Sequence, residues 1–295
     1  MEYHLFDERF LKEMTAELCG NDVPCTVLTR SILGCEIPLI TLGRGKRAVV
    51  YVGAQRGTDG VTADLLLDFV YDYIKQYRRL ATVYEYPMRY LFEDRRIYVV
   101  PMLNPDGVSY KEQGVGDDNP LRDRVRRMNG GSDDFSTWCA NARGVDLCRN
   151  YEAGFAAYKR AEREAGILGE APEGYCGEHP ESEPETAALC RFLRSQREQI
   201  KGVLSFQTGN GEIFCSCKDH LSAKTTSAGR VLSRFTGYRL VRPESISPIG
   251  TLADWCITAL HRPAFTVQCG GVPNASRAVI YEHLRRVLFS FPCIV

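Results

Sequence analysis

The chain has 295 residues, 44% of them hydrophobic and 25% charged, a composition of ordinary globular proteins that argues against disordered, collagen-like or disulfide-scaffold classes. Lysine plus arginine and aspartate plus glutamate are equal at 37 each, so no overall field points to nucleic acid or an anionic membrane as a partner. No apolar run reaches membrane length and no Pro/Ser-rich linker interrupts the sequence, so one domain spanning 1–295 is expected.

Met1-Glu2-Tyr3-His4 opens without an apolar signal region, and the twelve cysteines are scattered along the chain. They read as reduced thiols, which makes the cytoplasm the expected location. Phe10, Leu11, Met14 and Leu18 recur at helical spacing and predict a helical lead-in over 1–26. Glu36–Leu42 and Arg47–Val52 read as strands, the second almost wholly apolar, as suits the interior of a largely parallel sheet. Val61–Tyr77 is predicted as a helix, with Leu65, Leu66, Phe69, Val70, Tyr73 and Ile74 on one stripe. Arg96–Met102 reads as a strand ending in the turn Asn104-Pro105-Asp106-Gly107.

A helix is predicted from about Ser182, which supplies an N-cap before Pro184 and Glu185. Strands at Gly202–Phe206 and near Glu212–Cys215 follow, then helices near Lys224–Phe235 and Leu252–Leu260. The strand Ala264–Gln268 and a helix from about Arg277 to Phe289 close the chain. Strands separated by helices predict an α/β fold, a mixed and largely parallel twisted sheet with helices on both faces. Sites in such sheets gather where strands end and loops begin.

No local motif names a chemistry: there is no P-loop, no Gly-x-Ser-x-Gly elbow and no His-Glu-x-x-His. Cys215-x-Cys217 with His220 is a weak metal pattern, read in the first place as unliganded thiols. Gly130-Gly131, Trp138 and the run Gly144-Val145-Asp146-Leu147-Cys148-Arg149-Asn150-Tyr151 instead deliver a guanidinium to a fixed place. Arginine suits two-pronged recognition of a carboxylate.

That run resembles the substrate-carboxylate segment of the M14 zinc carboxypeptidases, above all the bacterial branch that trims cell-wall peptides at D-glutamyl–diamino acid bonds. The resemblance covers roughly 27–290 in order. Ser31–Leu39 resembles the family's first strand, and Val52–Gly60 lies where its His-x-x-Glu zinc motif is expected. Asn104-Pro105-Asp106-Gly107 matches its Asn-Pro-Asp-Gly turn. Ser182–Thr186 matches a helix start, Ser205–Thr208 lies at the third ligand, and Phe265–Gln268 at the general base. The resemblance implies a single-domain carboxypeptidase fold, with zinc as the family's cofactor.

The departures fall on the chemistry. Arg56 stands at the first zinc-ligand position, Asp59 at the second, Gln207 at the third and Gln268 at the base. An arginine is never deprotonated in proteins, and a glutamine cannot titrate as a base. Removing zinc while keeping carboxylates would strand buried charge, whereas Arg56 beside Asp59 restores balance. No cofactor is therefore expected. Arg56 should pair with Asp59, Gln207 and Gln268 should line the same cavity with amides turned toward Arg56 or a water, and Arg149 should stand across it.

Arg149 keeps the carboxylate-binding position, with Cys148 in place of its Asn partner, while Arg127 or Arg126 corresponds to the arginine that polarises the scissile carbonyl. Asn104 and Trp138 read as structural. The reading that follows is a zinc-free pseudopeptidase binding a peptide or small carboxylate. The alternatives are an active metallocarboxypeptidase with a non-standard metal site built from Asp59 and nearby thiols, or thiol chemistry from Cys148 or Cys269.

Overall fold

The most apolar stretches of the sequence lie side by side at the centre of one sheet. A computed structural model describes residues 23–215, 221–241, 250–270 and 276–295, together with Glu13 and Ala16. The strands of this sheet are β1 (Cys25–Arg30), β2 (Glu36–Leu42), β3 (Arg47–Val52), β4 (Arg95–Val100), β5 (Ile200–Gly209), β6 (Glu212–Phe214), β7 (Arg239–Val241) and β8 (Ala264–Gly270). Their spatial order is β1-β2-β4-β3-β5-β8-β6-β7. β3 is parallel to both of its neighbours, β4 and β5, and β5 is parallel to β8. The outer pairs β1/β2, β2/β4 and β8/β6 are antiparallel. Ala48, Val49, Val50, Tyr51 and Val52 are all buried, because helices cover β3 on both sides.

The helices are α1 (Gly60–Arg78), α2 (Met88–Asp94), α3 (Pro105–Gln113), α4 (Arg122–Met128), α5 (Phe155–Glu164), α6 (Pro184–Ser195), α7 (Ala223–Thr236), α8 (Leu252–Trp255) and α9 (Arg277–Ile294). Alternation along the strands sorts them into layers. Tyr51 points to one face, where its hydroxyl donates to Leu288 O of α9 at 2.7 Å. Tyr98, paired in register with Val50, points to the other and meets Phe192 of α6 edge-to-face. α1 packs against α9 on the first face through Phe69 and Phe289, whose ring centroids are 5.2 Å apart. Each such buried aromatic or aliphatic side chain contributes roughly 1.5–3 kcal/mol.

Several expected boundaries shift. Asn104 caps a helix rather than ending in a turn: its Oδ1 accepts from Gly107 N at 2.9 Å and Pro105 opens α3. The cap of α6 is Glu183, not Ser182, whose hydroxyl instead donates to Glu183. The stretch read as a first strand from Ser31 is a turn up to Cys35, and the strand pairing with β2 lies before it, in β1. α8 runs on as a π-helix over Cys256–Leu260 and stops at His261, which adopts a left-handed φ of 55°. α9 continues through Pro292 to Ile294. The stripe Phe10, Leu11, Met14 and Leu18 lies outside the described residues, as do Cys217 and His220.

Candidate functional site

The floor of the site forms where β3, β5 and β8 end, the edge at which α/β sheets bind ligands. After β3 the chain makes a 3-10 turn, Gly57–Asp59, with Arg56 at its cap position. Gly57 is required by close approach. A Cβ there would lie 2.3 Å from Trp138 O and 2.5 Å from Gly107 O. Asn104 Nδ2 holds the same junction by donating to Gln55 O, Cys139 O and Ala140 O at 3.2–3.3 Å. Trp138 Nε1 donates to Ala140 O, so both side chains hold the backbone at this junction.

This turn brings Arg56 onto Asp59. The guanidinium donates from Nε to Oδ2 at 3.0 Å and from Nη2 to Oδ1 at 2.9 Å, a two-pronged ion pair. Asp59 is fully buried and also accepts from the Thr208 amide at 2.9 Å and the Thr208 hydroxyl. Arg56 Nη2 reaches Thr208 O in return, at 3.3 Å. Burial works against the Arg56 charge, but its hydrogen bonds and attraction to Asp59 prevail and hold the guanidinium above its ordinary pKa.

Gln207 and Gln268 are register partners in the parallel pair β5/β8, so their side chains leave the sheet on one face. Both line a cavity of about 120 Å³ together with Arg56, Asp146, Cys148 and Arg149. Gly209 leaves room for the Gln268 amide, because a Cβ there would sit 2.5 Å from its Oε1. Gln207 turns toward the thiol rather than toward Arg56: its Nε2 donates to Cys148 Sγ at 3.1 Å. An arginine carries only N–H donors, so the Gln207 Nε2 finds its acceptor in the thiol.

Arg149 ends a 3-10 turn, Leu147–Arg149, that is capped by Asp146 accepting from Cys148 N at 3.0 Å. Asn150 locks the turn to the start of α6, donating to Cys176 O and Ser182 Oγ and accepting from Glu183 N and Thr186 Oγ1. The Arg149 guanidinium carbon stands 5.0 Å from the Tyr158 ring centroid. Its Nε and Nη1 are buried and have no hydrogen-bond partner among the described residues. Burial pushes the Cys148 thiol well above its ordinary range, reinforced by Asp146 and only partly opposed by Arg56 and Arg149. The thiol is thus held neutral, and no histidine among the described residues bonds to it.

Arg126 and Arg127 do not join this site. They lie on α4, where Arg126 pairs with Asp133 at 2.8 Å and Arg127 is exposed, and neither lines the cavity. The register that matched them to a carbonyl-polarising position is corrected accordingly. Sequence reasoning also passed over Asp146, Thr208 and Tyr158. The first two sit one or two places from residues already singled out, but nothing in one dimension marks Thr208 as the second partner of Asp59.

The profile of the zinc carboxypeptidase family matches residues 8–234. The chain belongs to the zinc carboxypeptidase family. It is similar to gamma-D-glutamyl-L-diamino acid endopeptidase 1 of Lysinibacillus sphaericus, 28% identical over 249 residues, which are 84% of this chain and 61% of that relative. The chain therefore spans less than two thirds of that relative's length. It is also 31% identical to human carboxypeptidase B2 over 150 residues, 47% of this chain and 31% of that one. Two solved structures share the fold. Bovine thrombin-activatable fibrinolysis inhibitor, in complex with tick carboxypeptidase inhibitor, superposes with a TM-score of 0.67 at 19% identity, covering 99% of this chain and 96% of that chain. Murein-tripeptide amidase MpaA from Escherichia coli O157 gives 0.55 at 21% identity, covering 94% of each.

The residues at the ligand positions expected from this family do not fit zinc. Zinc takes imidazole, thiolate or carboxylate donors. Arg56 offers only N–H donors, Asp59 has both oxygens engaged by Arg56 and Thr208, and the Gln207 amide nitrogen is directed at a thiol. Among the described residues, no group of three His, Cys, Asp or Glu is placed to hold a metal ion.

Proposed function

We propose that this chain is a zinc-free member of its family that binds the carboxylate end of a peptide, or a small carboxylate, and does not hydrolyse it. The observation that carries this reading is the contrast between two arginines in one cavity. Arg56 forms a two-pronged pair with Asp59 at the position where a ligand to zinc is expected. Arg149 keeps buried donors without partners beside the same space. An unpaired buried donor is costly, and a carboxylate accepting two N–H bonds relieves that cost.

Gln268, at the position of the general base, holds an amide that takes up no proton from water. The names of two relatives, a gamma-D-glutamyl-L-diamino acid endopeptidase and a murein-tripeptide amidase, favour cell-wall peptides as the ligand class. The test has two parts. Elemental analysis of protein purified without chelator should find well under one zinc per chain, with no rise in Tm on adding zinc. Calorimetric titration with acetylated amino acids should show binding that Arg149→Gln weakens by about 10-fold or more. Stoichiometric zinc released by Arg56 or Asp59 substitution, or peptide hydrolysis lost in Gln268→Ala, would overturn the reading.

A further inference from the structure

Building on the carboxylate-binding reading above, we propose that the cavity is a two-guanidinium site for a small dicarboxylate, with one carboxylate on Arg149 and the second on the edge of Arg56 that Asp59 leaves uncovered. Asp59 takes Nε and Nη2 of Arg56, and Nη2 also donates to Thr208 O. Nη1 has no hydrogen bond among the described residues, and the side chain, 22% exposed, lines the cavity. Asp59 therefore fixes the orientation of the guanidinium without capping it. A planar group held edge-on by one carboxylate still presents N–H donors on its other edge. Arg149 lines the same cavity, and its Nε and Nη1 have no hydrogen-bond partner among the described residues. Two guanidinium side chains thus border one space of about 120 Å³, the size of a small molecule.

The rest of the lining fits this ligand. Gln207, Gln268, Thr251 and Thr266 supply uncharged donors and acceptors between the two cations. Three carboxylates must be weighed against them. Asp59 is fully buried and spent on Arg56 and Thr208. Asp146 is 4% exposed and caps the Arg149 turn; burial pushes its carboxyl up, against the pull of Arg149 and then Arg56. Glu173 is exposed at the rim, where water and salt screen it. The Cys148 thiol stays protonated. A single carboxylate engages one guanidinium and leaves the other edge with water, whereas a dicarboxylate of matching span engages both.

The experiment is isothermal titration of the full chain with malonate, succinate, glutarate and adipate, each set against its own monomethyl ester. At least one diacid should bind about 10-fold or more tighter than its half-ester, the gain of one further charge-assisted contact. The double variant Arg56→Gln/Asp59→Asn, which strands no buried charge, should bring that diacid to within about 2-fold of its half-ester. The wild-type comparison needs no variant and stands if the double variant does not fold. Diacids that bind no better than their half-esters, while Arg149→Gln weakens both, would overturn the two-arginine site and leave the carboxylate reading intact. An advantage that survives in the double variant would also overturn it. Absence of binding by every acid and ester would overturn the carboxylate reading, and this site with it.

Discussion

Replacing Arg56 by methionine isolates the energetic role of the ion pair. The variant keeps the length of the side chain but leaves Asp59, fully buried, with only the amide and hydroxyl of Thr208 as donors. Breaking a buried pair by removing one partner costs about 3–5 kcal/mol when both groups are desolvated. Arg56 retains 22% exposure and Thr208 still stabilises the anion, so about 2–3 kcal/mol is expected here. At roughly 2–4 °C per kcal/mol for a chain of this size, Tm should fall by about 5–10 °C. Asp59→Asn strands a cation that partly reaches water, and about 1–2 kcal/mol is expected. The double variant Arg56→Met/Asp59→Asn leaves no charge behind and should recover to within about 1 kcal/mol of wild type. Urea unfolding followed by circular dichroism measures all four corners of this cycle. If Arg56→Met lies within about 0.5 kcal/mol of wild type, or the two single losses simply add, Arg56 and Asp59 do not depend on each other and the charge-replacement argument fails.

The quadruple change Arg56→His, Asp59→Glu, Gln207→His and Gln268→Glu should restore zinc uptake before peptidase activity, since coordination tolerates more positional error than catalysis; a folded variant that takes up no zinc would show these four positions to be misaligned. Glu185 is fully buried, and that burial lifts its pKa from 4.5 to about 8, only partly opposed by its own amide and by the Asn141 side chain. A folded-state pKa above the unfolded one gives stability that is full below 4.5 and is lost as pH rises through about 8. Glu185→Gln should therefore flatten the decline in Tm between pH 5 and 8, and an unchanged decline would assign it to other groups. Cys148 and Cys269 are buried with thiols pushed up by desolvation, so iodoacetamide should modify them only on unfolding. Native-state labelling of Cys148 ahead of the exposed Cys25 would return the thiol-nucleophile reading.

The centre of the fold was plain in the sequence because burial on both faces removes alternation: Ala48–Val52 could only be an interior strand. α1 and α7 were legible from periodicity within one or two residues at each end. Where the chain is polar the signal thinned. α4 and α5 bury few side chains and went unassigned, Val125 in the first and Phe155 and Glu162 in the second. α3 was misread although Asn104-Pro105-Asp106 carries a cap, a proline at the first position and an early acid. In the site, the frames around Arg56, Gln207, Gln268 and Arg149 were sufficient to bring those residues to one cavity. The Arg126/Arg127 match failed because that segment had no fixed register, and the bond of Gln207 to Cys148 depends on a rotamer that no sequence pattern encodes.

Asp59 and Thr208 are 149 positions apart, yet the bond between them closes the floor of the cleft. In a metalloenzyme such a floor is finished by an ion that must be delivered and can be withdrawn. Here its parts are made by the ribosome in fixed stoichiometry, and the floor is laid in the same event that sets β3 beside β5. On the zinc-free reading proposed above, chelators, metal starvation and competing ions have no purchase on how much competent protein a cell contains. The Thr208 amide, which is freed only when the carboxylate lets go, becomes a single-proton gauge of that floor, readable by deuterium exchange at any stage of folding.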